Sequence, residues 1–283
     1  PCVRIARRHR AARRPERVER LGARLWRTVE LPADGPAILL LPGTLGRADV
    51  FHRLLARLEG RARAIAVTYP ATPELGDWAD DLARLMDRRG IPRATILGTS
   101  LGGYAAQVLA ARHPDRTAAL VAANTLSDTG PLAERPPYAG DPARRPLAEL
   151  REGFVRGLRA YAEAAPDQAE LMALLEADAA GRIPGRHLRA RIVALKRAPS
   201  IPGLALAPSR VHVIESEDDP LIPAEMRETV RERLAPGTVW RFRTGGHFPY
   251  AARADLYAAA VEEILGLAPP GAGPWGEGAI RTL

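Results

Sequence analysis

From about Arg24 onward, short apolar runs alternate with longer stretches whose apolar residues recur every three or four positions. Six runs read as strands: Pro36–Leu41 (PAILLL), Ala62–Thr68 (ARAIAVT), Ala94–Leu97 (ATIL), Ala118–Ala123, Val211–Glu215 (VHVIE) and Val239–Arg243. Helical spacing falls at Ala48–Leu58, Leu75–Arg88, Leu101–Arg112, Glu225–Leu234 and Ala251–Leu265. Alternation of this kind predicts an α/β protein, a mostly parallel sheet flanked by helices on both faces. It is broken once, from Ser127 to about Ala207, where no strand pattern occurs. There Leu147, Leu150, Phe154, Leu158 and Tyr161 follow helical steps, and Leu171, Leu174 and Leu175 resume them. Pro166, Pro184 and Pro202 punctuate the stretch, so two or three inserted helices are expected to form a lid over one end of the sheet. The expected division is an Arg-rich tail (1–27), a first part of the core (28–126), a helical cap (127–207), a second part of the core (208–267) and a Pro/Gly-rich tail (268–283).

Composition changes this picture little, and charge sharpens it. The 46% hydrophobic and 26% charged residues of the 283-residue chain are those of an ordinary globular protein. No apolar run approaches the roughly 18–20 residues that span a bilayer. The formal net charge of +8 would suggest a nucleic-acid or membrane partner if it were spread over a folded surface. Ten arginines and two glutamates within residues 1–27 account for all of it, leaving a neutral body, so no nucleic acid is expected as a partner. No apolar segment or small-residue cleavage site follows the arginine pairs, which argues against a secretory or twin-arginine signal. Cys2 is the single cysteine, which excludes an intrachain disulfide and a cysteine-based zinc site and fits a cytoplasmic protein. Oligomeric state leaves no mark in the sequence.

The chemistry concentrates at "LGTSLGG", where Gly98-Thr99-Ser100-Leu101-Gly102 fits G-x-S-x-G between a strand and a helix. There the glycines permit a sharp turn that lifts the serine hydroxyl above the sheet. A serine needs a base, and the base needs an orienting acid. Of six histidines, His9 lies in the tail, His187 in the inserted helices, His113 at a helix end, His212 within a strand and His52 on a helix; His247 alone stands in a loop after the last strand, in "TGGHFPY". For the acid, Asp219 in "ESEDDPLIP" follows the strand VHVI, with Asp218, Glu215 and Glu217 possible and Asp128 in "NTLSDTG" a rival. The chain order Ser100, Asp219, His247 is the one this architecture uses. An oxyanion hole would combine the Leu101 amide with the Thr44 amide from "LLLPGTLG", where Gly43 allows a close backbone approach. Leu45, Tyr104, Phe248 and Tyr250 are candidate pocket residues. Nothing suggests a metal or other cofactor.

With these motifs, nearly everything from Leu31 to Leu265 resembles the α/β-hydrolase fold with a helical cap. Within it, "LPGTLGRADVF", "GTSLGGYAAQ", "NTLSDTG" and "TGGHFPYAARADLY" are similar to the maspardin group. That group keeps the serine turn but carries asparagine at the position of His247, and is regarded as binding without hydrolysing. The resemblance therefore implies the fold and the pocket, and the departure at His247 argues for catalysis. The expected function is a serine hydrolase acting on a small-molecule acyl substrate, whether carboxylic ester, thioester or lactone. The alternative is a non-catalytic maspardin-like binding scaffold. Haloalkane dehalogenases and epoxide hydrolases of the fold need an aspartate where Ser100 stands.

Overall fold

The computed structural model describes residues 14–132 and 134–283. Nine strands form one sheet: β1 (Arg17–Leu21), β2 (Arg24–Leu31), β3 (Ala37–Leu41), β4 (Arg63–Thr68), β5 (Ala94–Thr99), β6 (Thr117–Ala123), β7 (Val211–Ser216), β8 (Thr238–Phe242) and β9 (Ile280–Thr282). Their spatial order is β1-β2-β4-β3-β5-β6-β7-β8-β9. The strands from β4 to β9 in this order run parallel, and β1 and β2 complete one edge as an antiparallel pair. The helices are α1 (His52–Leu58), α2 (Leu75–Arg88), α3 (Leu101–Arg112), α4 (Leu147–Ala164), α5 (Ala169–Ala177), α6 (Gly185–Lys196), α7 (Ala224–Leu234), α8 (Pro249–Ala252) and α9 (Ala254–Ile264). None is long and apolar enough to cross a membrane among the described residues.

Two buried clusters cover the two faces of the sheet. On one, α2, α3 and α7 pack through Trp78, Leu82, Tyr104, Leu109, Met226 and Val230. On the other, α1 and α9 pack through Leu54, Leu55, Leu58, Tyr257 and Val261, and the inserted helices join them through Leu150, Leu171 and Leu188. Helix α3 is buried from Leu101 to Ala110 because its small residues let it approach the sheet closely. A Cβ on Gly102 would stand 2.0 Å from the Leu41 carbonyl oxygen, far inside van der Waals contact.

Both expected tails contribute strands. In β2, Trp26 and Thr28 are buried while Leu25 and Arg27 face outward, the alternation of a half-buried strand. The arginines that made this segment look like a tail are partly paired: Arg24 donates to both Asp81 (2.5 Å) and Asp77 (2.8 Å). Residues 1–13 of the expected tail lie outside the described residues. At the other end, Ile280–Thr282 adds to β8, and Trp275 packs on Trp240 with ring centroids 5.2 Å apart and donates to Glu263 (2.9 Å). The helix expected over Ala251–Leu265 begins earlier, at Pro249, and breaks at Arg253 into α8 and α9.

The register places the loops that matter on one edge. Leu41 of β3 lies opposite Gly98 of β5, Thr99 opposite Ala123 of β6, Ala123 opposite Ile214 of β7, and Ser216 opposite Phe242 of β8. The chain leaves β3 and β5 on opposite sides of the sheet, and ligands of open α/β sheets bind at such a switch point, outside the carboxyl ends of the strands. The segments after β3, β5, β6, β7 and β8 therefore emerge side by side.

Candidate functional site

Ser100 stands between β5 and α3 with φ 55° and ψ −122°, a left-handed conformation that costs a non-glycine residue about 1–3 kcal/mol. The surroundings over-determine it. Its N–H donates to Ala123 O (3.0 Å), its carbonyl accepts from Thr125 Oγ1 (2.6 Å) and from Tyr104 N–H (3.1 Å), and a Cβ on Gly98 would meet the Gly102 carbonyl at 1.9 Å. The turn keeps Ser100 partly exposed while Thr99 and Leu101 are buried. The Leu101 amide begins α3, where the first N–H groups have no intrahelical acceptor.

His247 and Asp219 come together from the loops after β8 and β7. His247 Nδ1 donates to Asp219 Oδ2 at 2.9 Å, and both side chains are almost fully buried. Asp219 Oδ1 also accepts from the amides of Leu221 (2.9 Å) and Ile222 (3.1 Å). Burial alone would raise this carboxyl, but the His247 ring, Asn124 and the Leu221 amide outweigh it and hold the group below the usual carboxylate range. No hydrogen bond joins Ser100 Oγ to His247 among the described residues; such contacts often tighten only once substrate is bound. Two of the other candidate acids have different work. Glu215 is paired with Arg231 and Arg241, and Asp218 accepts from the Gly245 and Gly246 amides (3.1 and 2.8 Å), bracing the histidine loop.

Asp128 does not enter this cluster. It is exposed and accepts from the Gly130 amide at 3.0 Å, a local turn contact. Asn124, four residues earlier and directly at the end of β6, fills the space instead. Its Nδ2 reaches Asp219 Oδ2 (3.0 Å), Gly246 O (3.2 Å) and Ser216 Oγ (3.2 Å), and its φ of 40° belongs to the left-handed region that asparagine tolerates. Tyr161 of α4 is a second contributor that the sequence did not single out: its hydroxyl accepts the His247 N–H at 3.0 Å. Phe248 lies between the two, 4.9 Å from the His247 ring and 5.4 Å from that of Tyr161.

The loop after β3 closes the other side. A Cβ on Gly43 would stand 3.3 Å from Ser100 Cβ, so backbone passes directly beside the serine. Gly46 N–H bonds to Gly43 O (2.9 Å), Tyr69 OH donates to Pro42 O (2.7 Å), and Arg191 Nη1 from α6 donates to the carbonyls of Thr44 (3.0 Å) and Gly46 (2.8 Å). Thr44 and Leu45 are buried in this turn. Of the other expected pocket residues, Tyr104 and Tyr250 are core side chains. Tyr104 bonds Pro199 O (2.7 Å) and Tyr250 packs between Phe51 and Tyr257. The remaining described histidines sit elsewhere: His52 contacts Asp49 O, His113 contacts Asp80, His187 contacts Tyr69 O, and burial pushes His212, inside β7, down to about 4. His9 lies outside the described residues. No cluster of three or more His, Cys, Asp or Glu able to hold a metal occurs among the described residues.

Comparison with known proteins agrees with this architecture. A protein of Caulobacter sp. (strain K31) named "Putative carbamate hydrolase RutD" is 32% identical over 256 residues, covering 82% of this chain and 91% of that one. Human maspardin is 34% identical over 95 residues, about a third of each chain: 32% of this one and 31% of maspardin. The enol-lactonase of Burkholderia xenovorans LB400 superposes with a TM-score of 0.73 at 18% identity, over 88% of this chain and all of that one, a likeness of fold. The model of the alpha/beta hydrolase family matches residues 38–260, and the chain belongs to that family.

Proposed function

We propose that the protein is a serine hydrolase that cleaves an acyl bond through an acyl-enzyme. The observation that carries this reading is the buried His247–Asp219 pair at 2.9 Å on the same sheet edge as a serine held in a strained, partly exposed turn. Ser100 Oγ attacks the substrate carbonyl carbon as His247 Nε2 takes the hydroxyl proton. Asp219, ionised and acceptor-only, fixes Nδ1 as the protonated nitrogen and stabilises the imidazolium. The carbonyl oxygen becomes an oxyanion facing the Leu101 and Thr44 amides, each such donor being worth about 2.7–4 kcal/mol in the transition state. Collapse breaks the bond to the leaving group, which receives the proton from His247. Water then attacks the ester on Ser100 by the same route, releasing the acid.

The substrate is a small acyl compound: a carboxylic ester, thioester or lactone. The name of the relatives adds a carbamate, which is also cleaved at a carbonyl carbon. A non-catalytic scaffold is the reading that the maspardin likeness favours. It is opposed by an imidazole, rather than an asparagine amide, on Asp219. The test is turnover of short-chain nitrophenyl esters, thioesters, lactones and carbamates by wild type and Ser100→Ala. Activity lost with the serine supports the hydrolase; turnover unchanged in Ser100→Ala rejects it.

A further inference from the structure

Between the β1–β2 hairpin and the start of α6 lies a cavity of about 140 Å³. Drug-sized sites begin near 300 Å³, so an occupant of this one has few heavy atoms. Arg27, Arg47, Arg186 and Arg191 line it, together with Tyr69 and His187.

Arg191 is the unusual member. It is fully buried, its guanidinium lies 5.4 Å from the Tyr69 ring centroid, and no carboxylate among the described residues forms an ion pair with it. Its Nη1 is taken up by the carbonyls of Thr44 and Gly46, while its Nε has no hydrogen-bond partner. Burial lowers its pKa to about 10, which still leaves it cationic at neutral pH. Asp178 and Glu16 attract it from a distance, but a buried charge with no carboxylate in contact is costly, and arginine cannot escape by losing its proton. Arg47 Nε on the same wall is likewise without a partner.

The nearby acids do not balance these groups. Glu16 pairs with Arg47 (2.6 Å) and lies 3.8 Å from Arg27, and Asp49 pairs with Arg182 (2.7 Å). Asp178 lies 3.0 Å from Arg182, so its nearest cation is not one of the cavity arginines, and burial raises its pKa to about 7. The start of α6 adds to the positive side. His187 and Leu188 bond back to Pro184 O, leaving the earlier amides of this twelve-residue helix at the cavity wall, where helix N-termini attract anions.

We propose that this cavity binds a compact oxyanion, a carboxylate or a phosphate, held by Arg47, Arg186 and Arg191. The occupant sits one side chain away from the loop beside Ser100, because Arg191 grips that loop from its other end.

The test is calorimetric titration of the full chain with inorganic phosphate, acetate and succinate at fixed ionic strength, because screening alters weak charge contacts. Saturable binding of one anion per chain is expected, with phosphate against the carboxylates deciding the class. Arg186→Gln, at the exposed rim, should weaken it by about five-fold, as expected for the loss of one charged contact, and Arg191→Met should abolish it. Arg156→Gln, on an exposed face of α4 outside the cavity, should leave it unchanged. Absence of saturable binding to wild type overturns the proposal. So does equal weakening by Arg156→Gln and Arg186→Gln, which would mean diffuse attraction to the arginine-rich surface. If Arg191→Met does not fold, Arg186→Gln against Arg156→Gln decides: weaker binding in the first alone supports the site.

Discussion

Asn124 Nδ2 donates to Asp219 Oδ2 at 3.0 Å and to Gly246 O at 3.2 Å, so one residue at the end of β6 ties the carboxylate of one loop to the histidine segment of another. Replacing Asn124 by Ala removes both ties and leaves Gly246 O and Asp219 short of a donor. We expect kcat to fall about ten-fold or more with KM little changed, as for loss of an interaction that matters mainly in the transition state. Steady-state kinetics with a pH profile of kcat/KM checks this: a merely structural loss would lower the active fraction without moving the profile.

The two candidate acids separate cleanly by substitution. Asp219→Asn keeps the shape but no longer fixes the His247 tautomer, and should lower kcat by roughly 10³–10⁴-fold. Asp128→Asn, at an exposed turn, should change it less than about two-fold, since surface sites away from such features are near neutral. Parallel turnover measurements decide; equal losses would mean that Asp219 is not the orienting acid.

Gly102→Ala should be severely destabilising, because its Cβ meets the Leu41 and Pro42 carbonyls at 2.0 and 2.6 Å and backbone must move. A loss of roughly 3 kcal/mol or more, or failure to accumulate as folded protein, is expected for overpacking at a backbone contact. Gly153→Ala in α4, where nothing stands within 4 Å, provides the control in the same denaturation experiment.

Stability should respond to pH through Asp178. Burial raises its pKa to about 7, so between the ordinary carboxylate value and pH 7 the folded chain holds a proton that the unfolded chain has released. Its contribution is fully present at low pH and is lost as pH rises toward 7. Asp178→Asn should therefore gain roughly 1–4 kcal/mol relative to wild type at pH 8 and nearly nothing at pH 4. Asp219 acts in the opposite sense: held below its ordinary value, it contributes above that value and loses the contribution as acid protonates it. Melting curves of wild type and Asp178→Asn from pH 4 to 8 measure the first effect.

How much of this was legible depended on whether the signal was local. Strands β3 to β8 are apolar runs because helices cover both faces of the sheet, and they stand out in the sequence. Strands β1 and β2 form an edge, so Arg17, Arg20, Arg24 and Arg27 share them with Trp26 and Thr28, and the charge hid the alternation. Strand β9 is three residues long, too short for any period. At the candidate site, the turn motif and the order after strands point to Ser100, Asp219 and His247, and the fold brings the last two within 2.9 Å of each other. Asn124, Tyr161 and Arg191 were not legible, because each acts across more than ninety, eighty or one hundred and forty residues of chain on backbone or side chains that only the closed sheet brings near. Asparagine directly at a strand end, with its tolerance of positive φ, was the one cue available for Asn124. Tyr104 and Tyr250 show the converse: an aromatic near a motif does not reveal which way it points, and both point into the cores.

Intact-mass analysis after treatment with a fluorophosphonate probe tests the central claim most directly. One adduct per chain is predicted on wild type, mapped to Ser100, absent from Ser100→Ala, and formed far more slowly in His247→Asn, which has the asparagine of the maspardin group. Absence of an adduct on folded wild type, or an adduct that persists in Ser100→Ala, would contradict the account.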